Sequence, residues 1–289
     1  MSLKSDFQIN NINLQTILGL IDALPGNGKI NISNLESTNS GMAGLKSSFL
    51  DNSVDLQKIL DFVKALEFDS FSPVFSENSW ADIIAACQNR SVPNTWKVGD
   101  SKAMTMDGVD YQIDIIGKNH DVYADGSGVA PLTFQMHGTH NTSRAMNGGT
   151  TGNVGSWRES RMRTQRMSEY LILMPIEVQE GIKEVSKQTS VGNMSSAIEV
   201  TSDKLFLLSE IEVGGGIVYS ANGEGAQYTY YKDGNSIIKH DNSGNAISWW
   251  LRSPNTDNSN QFCMVESTGD FTSRKANNSG FGVSFAFCF

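Results

Sequence analysis

Along the first 70 residues, apolar side chains recur at helical spacing in two places. Leu14, Ile17, Leu18, Ile21 and Leu24 make one stripe, closed by Pro25-Gly26-Asn27-Gly28. Leu56, Ile59, Leu60, Val63 and Leu66 make the second, with Ser53 placed as an N-cap. A loop rich in Asn, Ser and Gly joins them. Two short helices with one apolar face each bury too little to fold alone. They are expected to pack on each other across subunits, on a larger assembly, or on the rest of the chain. A third helix is predicted over 80–88, where Ser79 and Asp82 form a capping box and Pro93 lies beyond the end.

From residue 101 the period shortens. Residues 101–106 and 109–116 flank Asp107-Gly108, the dipeptide favoured in tight hairpin turns. Residues 120–156 are rich in Gly, Thr and Asn and read as a long irregular region. Residues 157–167 read as a helix, and Pro175 opens another running to about residue 187. Strands are predicted over 205–213, 228–231, 247–251, 261–266 and 283–289. The last of these is so apolar that it is expected in the centre of the fold. Polar stretches from Asn255 to Asn260 and from Ser273 to Ser279 join the late strands. They are expected to emerge at neighbouring edges of one sheet as a composite surface. Trp249 and Trp250 point to opposite faces of their strand, so one is expected in the core and the other beneath the loops.

Composition narrows the function. With 289 residues, 39% hydrophobic and 18% charged, the chain is ordinary for a globular protein. A net charge of -9 argues against nucleic-acid binding through phosphates. No stretch approaches the roughly 18 apolar residues of a membrane span, and the amino terminus lacks the apolar core of a secretory signal. Synthesis in the cytoplasm, without membrane insertion, is the expectation. Cys87, Cys263 and Cys288 form no CxxC. They read first as core thiols, with a Cys263–Cys288 disulfide and catalysis as alternatives. His120, Asp121, His137 and His140 offer zinc ligands, but Gly138-Thr139 breaks the helical face that would aim the later two at one ion. A buried, hydrogen-bonded role for His120-Asp121 is simpler. Arg158, Arg161, Arg163 and Arg166 read as a solvated face paired with acids rather than a site for an anionic polymer.

Several segments share a further pattern: Ser248-Trp249-Trp250-Leu251-Arg252-Ser253-Pro254, Phe262-Cys263-Met264-Val265, and the aromatic strand ending in Cys288-Phe289. Trp96-Lys97-Val98-Gly99-Asp100, Ile115–Asp121, Ser202–Glu210 and Gly223–Tyr228 accompany them. Over about residues 90–289 this set resembles a large, mostly uncharacterised family of domains of Gram-positive bacteria and their phages and prophages, marked by the WWLRSP segment. The stretch from Leu14 to Pro25 also resembles phage tail proteins. The resemblance implies an α+β chain: a helical attachment or oligomerisation segment over 1–90, then a C-type-lectin-like domain over 91–289, similar to variable ligand-binding proteins of phages.

The same resemblance places function in loops. The expected ligand-binding residues are Trp250, Arg252, Asn255, Asp257, Asn258, Asn260, Arg274, Lys275, Asn277 and Asn278. Together they suit a bacterial surface glycan or an anionic cell-wall polymer. The implied protein is a non-enzymatic tail or baseplate component of a phage or phage-like particle. It would contact other tail proteins through residues 1–75 and form a homo-oligomer, a trimer being favoured. A purely structural particle protein and a loop-diversified protein are the alternatives. No cofactor is expected. Asn255, Asp257, Asn258, Glu266 and Asp270 keep calcium open, although the ligand triplets of calcium-dependent lectins are missing. Formylglycine-generating enzymes use cysteines on a related scaffold, but Cys263 and Cys288 lie among aromatic strand residues rather than in an exposed, electropositive cleft.

Overall fold

The computed structural model describes residues 71–149 and 152–289. The chain divides into units 1–70 and 71–289, and only the second is treated below. The two helices expected over 14–24 and 56–66, and the attachment role given to them, lie outside the described residues. Residues 71–90, expected in the amino-terminal segment, instead pack within the main core through Phe75, Trp80, Ile83 and Ile84.

The second unit is α+β. Helix α1, Trp80–Gln88, begins at Ser79, whose side chain accepts from the Asp82 amide while the Asp82 carboxylate accepts from the Ser79 amide. This is the predicted capping box, and it satisfies two of the amides a helix start leaves unpaired. Strands β1, Ser101–Met106, and β2, Val109–Lys118, then form the predicted hairpin. Strand β3, Leu132–Met136, pairs with β2, and β12, Ala286–Cys288, with β3. The short β6, Leu205–Phe206, closes a five-stranded antiparallel sheet in the order β1-β2-β3-β12-β6. Residues 283–289 are therefore central, as their apolar run implies. Phe134 stacks on Phe287 across that sheet, Phe289 packs at a tilt against both, and Trp80 meets Phe134 and Phe289 edge-on.

A second, three-stranded sheet holds β9, Trp249–Pro254, between no strand on one side and β10, Gln261–Val265, on the other, with β11, Phe271–Lys275, beyond it. Every residue of β9 is buried. Both indoles are inside: Trp249 Nε1 donates to Ile237 O at 3.0 Å and Trp250 Nε1 to Arg144 O at 2.8 Å. Alternation thus sends the two tryptophans to two covered faces, and neither supports an exposed surface. A separate ribbon, β4 (Val185–Gly192) with β5 (Ser195–Asp203), lies against β9. A two-residue pair, β7 (Lys239–His240) with β8 (Ala246–Ile247), completes the strands.

Five local expectations are corrected. The region 120–156, expected to be irregular, contains β3, whose five residues are all buried between β2 and β12. The helix over 157–167 is three pieces: α2, Ser156–Glu159, a π-turn at Met162–Arg166, and α3, Met167–Leu171. Ser160 breaks it by taking an extended ψ of 143. The helix opened by Pro175 is only α4, Ile176–Gly181, because residues 185–192 join the ribbon. The strand expected over 205–213 turns after Phe206 into α5, Glu210–Gly214, whose start is fixed by a second capping box between Ser209 and Glu212. The aromatic run 228–231 is a helical turn, α6, Thr229–Lys232.

What joins these pieces is a buried chain of alternating charges. Lys187 Nζ, on β4, lies 2.7 Å from Asp121 Oδ1 and 2.6 Å from Glu212 Oε1. Glu212, on α5, also pairs with Arg252 of β9. No Arg252 donor is left over: Nε donates to Thr189 Oγ1 at 3.0 Å, Nη1 to Leu207 O and Glu212, and Nη2 to Gln188 O, Glu212 Oε1 and Glu224 O. Tyr228 and Thr133 hydroxyls donate to the Asp121 carboxylate. Burial alone would favour the neutral forms, but Lys187 holds Asp121 down to about 2, and the Arg252 and Lys187 charges hold Glu212 below its ordinary value. Glu224 is the exception: burial raises it, and Ser253 and Ser190 bond to its carboxyl.

Removing one member of such a buried pair leaves the other charge uncompensated. Arg252→Ala is expected to cost about 3–5 kcal/mol in denaturant unfolding, against about 0–1 kcal/mol for Arg274→Ala, whose pair with Glu266 is half exposed. Acid should act through the same charges. Because the folded Asp121 carboxyl is depressed from 3.8 to about 2, its contribution is present above its unfolded value and lost as pH falls through about 2. Urea midpoints should therefore drop steeply over that window, and Asp121→Asn should flatten the drop.

Candidate functional site

The antiparallel register of β9, β10 and β11 sets where the polar loops emerge. Pro254 is opposite Phe262, and Gln261 is opposite Lys275. The loop after β9 and the segment after β11 therefore leave the same end of the sheet, as expected, and Ala276 N donates to Asn260 O at 3.0 Å between them. The Ser267–Asp270 turn lies at the opposite end.

Much of the asparagine in these loops is turn chemistry. Asn255 Oδ1 accepts from Asp257 N at 2.7 Å, Asn258 Oδ1 from Asn260 N at 3.0 Å, and Asn278 Oδ1 from Gly280 N at 2.9 Å. Each side chain mimics a backbone turn and fixes the loop that carries it. Asn255 is also buried and donates to Ser273 Oγ at 2.8 Å.

The ten residues expected to bind ligand thus separate. Trp250, Arg252 and Asn255 are internal and hold the sheet, which corrects their placement on the surface. Asn258 and Asn278 shape turns. Arg274 is exposed but pairs with Glu266 Oε1 at 2.5 Å. Asp257, Asn260, Lys275 and Asn277 point outward, and their side chains make no hydrogen bond or ion pair among the described residues.

Asn153 is the residue the sequence reading missed. Fully buried, it donates through Nδ2 to Asn255 O at 3.2 Å, Asn258 O at 3.1 Å and Gln261 O at 2.8 Å, and its Oδ1 accepts from Asn193 N at 2.8 Å. Its amide donates to Ser259 O at 2.7 Å. One side chain therefore joins the β9–β10 loop to the tip of the β4–β5 ribbon. The ribbon approaches so closely that a Cβ on Gly192, at φ +74, would stand 2.1 Å from Asn153 O. Asn147 N donates to Ala276 O and Asn147 Nδ2 to Gly152 O, tying in the last loop. On the remaining side Thr256 N donates to Tyr219 O, and the buried Glu210 carboxylate accepts from the amides of Val218, Tyr219 and Ser220. Exposed apolar residues stand within these same segments: Val154, Met194, Ile217 and Val218.

The other candidate chemistries do not converge. His120 stacks on Tyr228, His140 on Tyr111, and the exposed His137 bonds to Asp114, while Asp121 is taken by Lys187. Among the described residues no group of three or more His, Cys, Asp or Glu is placed to hold a metal ion. Of the four arginines, Arg158 pairs with Glu199, Arg163 with Asp203 and Arg166 with Glu169, while Arg161 bonds to Gln165. All three cysteines are free and buried; burial pushes Cys87 up to about 12 and Cys263 and Cys288 well above their ordinary value. Among the described residues no helix is long and apolar enough to cross a membrane.

A family model described as "Domain of unknown function (DUF6273)" matches residues 139–289, more than half of the chain. The chain belongs to the DUF6273 family. No curated protein and no solved structure matches it. The DUF6273 match contains Lys187, Glu212, Glu224, Arg252 and the whole loop cluster, but Asp121 and strands β1 to β3 precede it. Since β12 of the DUF6273 segment pairs with β3, residues before the match complete its sheet.

If Asn153 fastens the DUF6273 loop cluster, Asn153→Ala should cost about 1–3 kcal/mol through unpaired buried carbonyls. Amide exchange measured by mass spectrometry should accelerate over residues 255–261 while β1 and β2 remain protected.

Proposed function

We propose that the protein is a non-enzymatic binding component of a phage or phage-like particle, at its tail or baseplate, that engages a bacterial surface glycan or cell-wall polymer through one loop surface. The observation that carries this reading is the joining of the β9–β10 loop to the tip of the β4–β5 ribbon by Asn153, at one end of a sheet anchored by buried charges. A fixed loop cluster loses little conformational entropy on binding. Asp257, Asn260, Lys275 and Asn277 supply both donors and acceptors with open valences, which suits hydroxyl-rich ligands. Lys275 supplies the one cation of that outward set. A C-type-lectin-like architecture is consistent with the two larger antiparallel sheets and the long polar loops. Thiols held protonated by burial speak against cysteine catalysis. Repetition on a particle would compensate for weak single-site affinity.

A second reading has its own support. Val154, Met194, Ile217 and Val218 are each more than half exposed beside the polar residues, and apolar side chains at such a rim suit contacts between particle subunits.

Binding of the fluorescent full chain to a panel of Gram-positive cells separates the two. Changing Asp257, Asn260, Lys275 and Asn277 together to Ala is expected to weaken cell binding at least about tenfold, roughly 1.4 kcal/mol, with the melting temperature unchanged. Equal binding by both proteins would move the site elsewhere. A folded protein that binds no strain, and whose Val154→Asp or Val218→Asp variant fails to enter particles, would favour the subunit role.

A further inference from the structure

Beneath the loop cluster lies a buried carboxyl without a counter-ion. Glu224 is 0% exposed, and among the described residues no cation pairs with its carboxyl. Its partners are neutral: Ser190 N, on β4, donates to Oε1 at 2.8 Å, and the Ser253 hydroxyl, on β9, donates to Oε2. Ser253 Oγ in turn accepts from Glu210 N at 2.9 Å. The Ser190 hydroxyl lies beside the same carboxyl, buried and without a partner among the described residues. A protonated glutamate is a donor as well as an acceptor, and this hydroxyl is positioned to accept from it.

The surrounding charges do not supply the missing cation. Arg252 on β9 bonds to the Glu224 backbone carbonyl, at 3.1 Å, and its charge is engaged by Glu212. Lys187 on β4 lies between Asp121 and Glu212. On α5, Glu210 accepts from the Val218, Tyr219 and Ser220 amides, and on β10 burial keeps the Cys263 thiol protonated. The backbone of Glu224 is pinned, which keeps its carboxyl inside. Ser209 Oγ and Arg252 Nη2 both donate to Glu224 O, and a Cβ on the following Gly225, at φ +105, would stand 2.8 Å from Glu212 Oε1. Ionised, Glu224 therefore leaves a desolvated charge between β4 and β9. Both of its partners lead to the loops. Ser253 precedes Pro254 and Asn255 at the start of the β9–β10 loop. Ser190 O accepts from the Ser156 hydroxyl, Ser156 N donates to Asn153 O at 3.0 Å, and Gly192 abuts Asn153.

We propose that Glu224 is a proton-operated latch: carrying a proton, it clasps β4 to β9 beneath the loop cluster, and on losing it the two strand ends and their loops loosen. Burial raises its pKa above the ordinary 4.5. Its contribution is thus fully present below 4.5 and lost as pH rises through the raised folded value. The loop surface is held firmest in mildly acidic surroundings. Regulation of binding by this latch rests on the loops being the binding surface; the latch itself does not.

Amide exchange of the full chain, corrected for the intrinsic effect of pH and read by mass spectrometry at about pH 5 and about pH 8, tests it. Protection over residues 188–192 and 253–257 should fall about tenfold at the higher pH while β1 and β2 stay protected. Glu224→Gln, which stays neutral and can still donate, should keep that protection at both. An equal fall in the variant, a fall shared by β1 and β2, or no fall in the wild-type chain overturns the proposal. Should the variant fail to fold, the infrared carbonyl band of a buried protonated carboxyl decides: it must be present at the lower pH and fade as protection falls, and its absence overturns the latch. A chain that shows this exchange pattern and binds no cells fails the proposed function and keeps the latch.

Discussion

The Arg252–Glu212–Lys187–Asp121 chain is the constraint on which the second unit rests. Its members come from four places: a loop before β3, the ribbon strand β4, the short helix α5 and the buried strand β9 at the edge of the three-stranded sheet. Each charge is desolvated, and each is stable in that state only because its neighbours are in place. The arrangement therefore acts as a register device as well as a bond. If β9 shifted by one residue, Arg252 would move to the opposite face and Glu212 and Lys187 would lose their balance. Two capping-box residues take part as well, since Glu212 bonds the Ser209 amide while holding Arg252. A local helix start and a long-range ion pair thus depend on the same carboxylate.

This organisation explains why the segments that make the chain recognisable are poor guides to what it binds. Arg252 and Ser253 of the tryptophan-rich strand, Glu224 between its two glycines, and Asp121 all meet inside the fold. They specify the scaffold. The loop surface is built by less conspicuous residues, and the anchor among them, Asn153, sits in a stretch with no period of its own.

What the sequence makes legible follows from how local the cause is. The capping box of α1 and the Asp107-Gly108 hairpin are decided by neighbours in the chain, and both form as predicted. The polar stretches expected at 255–260 and 273–279 do leave one end of the sheet, because β9, β10 and β11 are antiparallel, although Ser273–Lys275 belong to β11 itself. The errors have non-local causes. Strand β4 reads as helix or loop because Lys187 stands at an inward position, which is acceptable only beside Asp121 and Glu212. Trp250 and Arg252 read as surface residues because nothing nearby announces that β4 and α5 cover that face. The strand predicted through 213 contains a Ser209-x-x-Glu212 signal that marks a helix start, and the apolar run ahead of it masked that signal. Asn255, Asn258 and Asn278 look like ligand donors because turn formers and sugar binders are drawn from the same residue types.

The position of β12 has a kinetic consequence. This strand lies between β3 and β6, so Gln135 Nε2 bonds to Ser284 O across 149 residues of chain. Until that late segment arrives, β3 offers an open edge of aromatic and aliphatic residues to any other extended chain. Loop closure over such a separation is slow to nucleate and adds little until it is complete. The sheet is thus a lock set by its last piece, and the interval before closure is when a newly made chain is most exposed to self-association.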